Sequence, residues 1–105
     1  MKTMKYKFIA DPGHGWLEVT RAELVVLGIE SKISGFSYVK GTKVYLEEDC
    51  DMPLFLDALE AAGILVDFEE VYEENTPIRN YKNFLSWTPE PEVEAALVTG
   101  AAANG

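Results

Sequence analysis

The segment Asp11-Pro12-Gly13-His14-Gly15 places one proline and two glycines within five residues. A tight turn is the local structure that uses all three, because proline fixes φ and glycine supplies backbone angles closed to other residues. The turn lies between two short patterned runs. Before it, Tyr6, Phe8 and Ala10 alternate with Lys5, Lys7 and Ile9, the period of a strand with an aromatic face and a largely basic one. After it, Trp16-Leu17-Glu18-Val19 predicts the returning strand of a hairpin.

Thr20 followed by Glu23 is a capping box, in which each side chain satisfies a free N–H at a helix start. Leu24, Val25 and Leu27 supply the apolar stripe of that helix, and Gly28 is placed to end it. Ile29 to Gly35 reads as a polar connection with one or two apolar anchors. Phe36-Ser37-Tyr38-Val39 and Lys43-Val44-Tyr45-Leu46-Glu47 then flank Lys40-Gly41-Thr42 as a second hairpin. Asp49 or Asp51 is the expected cap of a second helix that tolerates Pro53 in its first turn, with an apolar face of Leu54, Phe55, Ala58, Leu59 and Ala62 and a stop at Gly63.

Ile64 to Tyr72 predicts a fifth strand whose exposed face grows acidic. The element order β-β-α-β-β-α-β defines an α+β fold, a small mainly antiparallel sheet with two helices. An acidic turn and an extended arm follow, and Ile78, Tyr81, Phe84, Leu85 and Trp87 give the arm enough apolar surface for part of it to pack back. The expected organisation is one domain over residues 1–87 and a flexible, acidic and alanine-rich tail over 88–105.

Eighteen Asp and Glu against nine Lys and Arg leave a formal charge of −9. Such a field repels phosphate backbones, which disfavours general nucleic-acid binding. It suits a protein partner with a basic face, and it is also an ordinary means to solubility. Cys50 is the only cysteine, so no intrachain disulfide forms, and a reducing cytoplasm is the expected setting. No signal-like or membrane-spanning apolar run is expected.

Three groups of side chains are candidates for chemistry. Asp11 and His14 sit on the glycine-flanked turn beside Trp16, where an imidazole can act as acid, base or ligand; the plainer reading has His14 solvated and Asp11 starting the turn. The loop leads into a strand, so it is a poor phosphate cradle. Glu47, Glu48, Asp49 and Asp51 surround Cys50 at a strand-to-helix junction. Their spacing does not match a calcium loop, no metal or cofactor is assigned to them, and Cys50 is expected as a small buried thiol. Arg79 follows the acidic run Glu69, Glu70, Glu73 and Glu74, and is expected to clamp a carboxylate of its own domain or of a partner.

The segments Asp11 to Val19, Ser37-Tyr38, Tyr45 to Asp51 and Pro77-Ile78-Arg79 resemble those of small uncharacterised proteins of bacteriophages and mobile elements, over roughly residues 6 to 80. The resemblance implies the cytoplasm of a bacterial host and a host-directed role, such as inhibition of a defence system. It carries over no cofactor and no catalytic residue.

Residues and resemblance together point to a non-enzymatic accessory protein that binds a basic partner through Glu47, Glu48, Asp49, Asp51, Glu69, Glu70, Glu73, Glu74 and Arg79. The alternative is a small metal-dependent hydrolase using His14, Asp11 and the carboxylates near Asp49. A homodimer is a third expectation, formed by a sheet edge, by Tyr6, Phe8, Phe36 and Tyr38, or by the aromatic arm.

Overall fold

The computed structural model describes residues 2–86. The tail expected beyond residue 87, and Trp87 itself, lie outside them. Six strands form one sheet: β1 (Lys2–Ala10), β2 (Gly15–Thr20), β3 (Tyr38–Lys40), β4 (Lys43–Glu47), β5 (Ile64–Tyr72) and β6 (Lys82–Asn83). Their spatial order is β5-β1-β2-β4-β3-β6. All neighbours are antiparallel except β1 and β5, which run parallel from Lys2 opposite Ile64 to Ala10 opposite Tyr72. The helices are α1 (Arg21–Val26) and α2 (Met52–Ala61). The expected order of elements is therefore present, with β6 added where a non-strand arm was expected.

Each element follows from its local chemistry. The Thr20 hydroxyl accepts from the Glu23 N–H at 3.2 Å while a Glu23 carboxylate oxygen accepts from the Thr20 N–H at 2.8 Å, which completes the capping box. Tyr6 donates its hydroxyl proton to the other Glu23 oxygen at 2.7 Å, tying α1 to β1. The turn at Gly41-Thr42 closes the second hairpin between the facing residues Lys40 and Lys43, with Gly41 at a φ of 63°.

The larger core lies between the helices and one face of the sheet, where Leu17, Leu24, Val44, Leu46 and Phe55 are fully enclosed. Tyr6 belongs to it and meets the Phe55 ring edge-on at 5.2 Å. A smaller cluster of Ile9, Trp16, Tyr45 and Ile78 covers part of the opposite face. Ile78 is carried there by a 3-10 turn over Pro77–Asn80, which brings the chain back across the sheet before β6.

Several expectations are corrected. Val25 is exposed, because α1 has six residues and its core-facing side is filled by Leu24 and Leu27, a quarter turn or more away. Asp51 occupies the position before α2, but its side chain makes no capping bond and serves another network described below. Cys50 is exposed rather than buried, since it falls in the turn between β4 and α2. Tyr6 is unavailable to a second copy because it is enclosed under α1 and α2, whereas Phe36 is exposed.

Thr20→Ala removes one half of the capping box and is expected to destabilise the domain by about 1 kcal/mol. Urea unfolding checks it: the midpoint falls while the m-value stays unchanged.

Candidate functional site

Four strand ends converge at one end of the sheet. β1 and β5 finish there, β2 starts there and β4 finishes there. The Glu48 N–H donates to Gly15 O at 2.9 Å, Gly15 faces Ala10, and Ala10 O accepts from the Glu73 N–H at 2.8 Å. Glu48 and Glu73 are thus three strand spacings apart, roughly 14 Å, along one rim. The loop holding Asp11 and His14 rises from the same rim.

Asp11 organises that loop. One carboxylate oxygen accepts from the backbone N–H groups of Gly13 and His14 at 2.9 and 2.8 Å, which folds the turn around the side chain. Arg79 grips the carboxylate with two bonds: Nε donates to Oδ2 at 2.8 Å and Nη2 to Oδ1 at 2.9 Å. Four donors therefore meet a group with about four acceptor sites. The Arg79 guanidinium, helped by those two N–H groups and opposed by desolvation, holds the Asp11 carboxyl well below the usual carboxylate range. Arg79 thus pairs within its own domain, with a carboxylate distant in sequence rather than with the adjacent acidic run.

His14 and Trp16 complete the group. Arg79 Nη2 stands 2.9 Å from His14 Nδ1. A guanidinium only donates, so Nδ1 accepts and the imidazole proton sits on Nε2. The imidazole stacks on the Trp16 indole at 5.9 Å with 22° between planes, and the Arg79 guanidinium carbon lies 5.7 Å from the same indole. A side chain on Gly13 would begin 3.0 Å from Arg79 Nη2, so a residue with a Cβ there would press on the guanidinium. The loop sequence fits around the cation it holds.

Two recesses border this group. An open cleft of about 550 Å³ runs between Asp11-Pro12-Gly13 and the segment Glu74 to Asn80. A hollow of about 130 Å³ is lined by His14, Trp16, Phe36, Tyr38, Glu47 and Arg79. The second brings His14 together with Glu47, the one acidic residue of the β4–α2 junction that shares its wall.

The junction itself divides into buried and exposed acids. Glu47 is buried, and one of its oxygens accepts from the N–H groups of Asp49 and Cys50 at 2.8 and 3.0 Å. Asp51 is 3% exposed and accepts from the Ser34 N–H, the Ser34 hydroxyl and the Ser37 hydroxyl. Ser37, fully enclosed, accepts in turn from the Glu47 N–H at 3.0 Å. The expectation that Glu47 and Asp51 contact a partner is corrected, because both are buried: the Asp51 carboxylate fastens the loop before β3 to the start of α2, and the Glu47 carboxylate folds the turn that follows β4. Glu48, Asp49, Glu69, Glu70, Glu73 and Glu74 are all exposed. Sequence reasoning missed Ser34 and Ser37, and no spacing rule marks a serine as the partner of an aspartate fourteen or seventeen residues later.

Cys50 is surrounded by acids, and desolvation together with the Glu47, Asp51 and Asp49 carboxylates pushes its thiol up, which disfavours the nucleophilic thiolate. Among the described residues no group of three His, Cys, Asp or Glu side chains is placed to hold a metal ion. No helix among them is long and apolar enough to cross a membrane.

Two outcomes check the structural roles. Asp51→Ala leaves the buried Ser37 hydroxyl and two half-buried donors of Ser34 without their acceptor and is expected to cost about 3 kcal/mol of unfolding free energy, measured by urea titration. A carboxyl held below its unfolded value, which is about 3.9, stabilises the fold above that pH and loses the contribution as the pH falls toward the folded value. The melting temperature of the wild type is therefore expected to fall through pH 4 to 2 more steeply than that of Asp11→Asn. Parallel acid limbs would mean that the pair with Arg79 does not govern acid stability.

No family model, curated protein or solved structure matches this chain.

Proposed function

We propose that this chain is a non-enzymatic binding protein that docks the basic face of a protein partner against the acidic rim of its sheet. The observation that supports the reading is the exposure of Glu69, Glu70, Glu73 and Glu74 along the end of β5 and the turn after it, with Glu48 and Asp49 further along the same rim. These carboxylates are held by backbone pairing and commit few of their oxygens to the fold, so they are available to steer and orient a cationic surface. Single exposed ion pairs contribute 0 to about 1 kcal/mol. A useful affinity therefore requires several of them at once, which a contiguous rim supplies.

The chemistry of the turn favours binding over hydrolysis. A general base needs a free lone pair within reach of substrate. Asp11 accepts four hydrogen bonds, three of them at Oδ1, and His14 Nδ1 faces a guanidinium, so both side chains are engaged in joining the turn to Arg79. The resemblance to phage and mobile-element proteins makes a bacterial host protein the natural target, and an inhibitor of a defence system is the role that small size and acidity suit.

Affinity capture from bacterial lysate tests this with the wild type and a variant carrying Lys at positions 69, 70, 73 and 74. A protein retained in stoichiometric amount by the wild type at moderate salt, and lost with the folded variant, is the expected result. Identical retained proteins for both would remove the acidic rim from the function.

A further inference from the structure

β5 is an outer strand of the sheet, and among the described residues nothing pairs with its far edge. The bond from the Glu73 N–H to Ala10 O fixes which backbone groups that edge presents. In a strand the N–H and C=O of one residue point to the same side and alternate along the chain. Odd-numbered residues of β5 therefore turn toward β1, and Ile64, Val66, Phe68, Glu70 and Tyr72 present their N–H and C=O groups outward. Nine residues of strand offer a template of this length.

Side chains on both faces of that edge constrain what fills it. On one face the facing pairs Lys5–Asp67 and Lys7–Glu69 set a cation beside each acid, so the next strand in each row is complementary when it carries cations. On the other face Phe68 and Tyr72 are 39% and 65% exposed beside Glu70, leaving apolar rings for an incoming side chain to cover. A second copy in the antiparallel register centred on Phe68 is a poor occupant, because that register sets Asp67 against Glu69 twice over. The segment after Ser86 is poor as well, since it contains Glu90, Glu92 and Glu94 and no Lys or Arg.

We infer that the partner binds by strand addition: an extended segment with alternating basic and apolar residues pairs with the free edge of β5, its cations against Asp67 and Glu69 and its apolar residues over Phe68 and Tyr72. This deepens the acidic-rim reading and rests on it. The backbone bonds supply affinity, and the alternation of side chains supplies selectivity.

The probe is a blocked heptapeptide of alternating lysine and valine, added to the isotope-labelled full chain at low salt, with amide hydrogen exchange read by NMR. Exchange at Val66, Phe68, Glu70 and Tyr72 is expected to slow at least tenfold, while the amides of Asp67, Glu69 and Val71, already turned to β1, change little. Glu70→Pro removes an outward N–H without touching the β1 ladder, and is expected to abolish the slowing that Glu70→Gln retains. The same peptide with alternate N-methyl groups is expected to lose the effect.

Binding with unchanged exchange at the four outward amides would overturn strand addition and leave the acidic-rim reading intact. No binding of the peptide would also overturn it. So would protection of those amides in the free protein, whether it rises with protein concentration, as self-pairing requires, or disappears when residues 87–105 are removed. Failure of the acidic-rim reading shows separately, as identical capture by the wild type and the four-lysine variant.

Discussion

The parallel pairing of β5 with β1 is the constraint on which the rest of the architecture depends. Parallel neighbours cannot be joined by a tight turn, so the chain between them must cross the sheet and return. Here that crossing holds α1, the second hairpin and α2. Once β1 has β2 on one side and β5 on the other, both helices lie over the face that carries Tyr6, Leu17 and Leu46. The acidic end of β5 is then placed beside the turn that leaves β1. The same pairing leaves β5 outermost, with one side of its backbone satisfied and, among the described residues, nothing paired with the other.

The opposite edge of the sheet is built differently. β3 and β6 are short, and β6 is held by the segment that begins at Thr76 and buries Ile78. The bidentate bond between Asp11 and Arg79 fixes this returning segment to the first turn, across 68 residues of chain. Because Arg79 also faces His14 and Trp16, one guanidinium organises a carboxylate, an imidazole and an indole. The acceptor nitrogen of the conspicuous histidine on the glycine-flanked turn is thereby engaged within the domain. The network of Asp51, Ser34 and Ser37 plays the corresponding part for the loop before β3 and the start of α2.

Local signals made much of the fold legible. The proline and glycines of the first turn, the Thr20 and Glu23 capping box, Gly41 in the second hairpin and the spacing of Phe55 and Leu59 each specify their element within a few residues. β6 was not legible, because two residues have no measurable period and their pairing with β3 joins segments more than forty residues apart. Of the candidate site, Asp11, His14 and Arg79 stood out individually as reactive side chains near turns. Nothing in their spacing joined them, and nothing separated the inward carboxylates of Glu47 and Asp51 from the outward ones of Glu48 and Asp49.

The sequence by itself determined the order and kind of elements as far as β5 and the acidic character of the chain, because hydrophobic period, capping and turn chemistry act between residues a few positions apart. Tertiary structure alone decided that β5 lies at the edge, that Arg79 is spent on Asp11, and which acids face water. Those outcomes depend on which distant segments share a sheet, and that is settled by the joint burial of one core and the pairing of backbone groups rather than by any local preference.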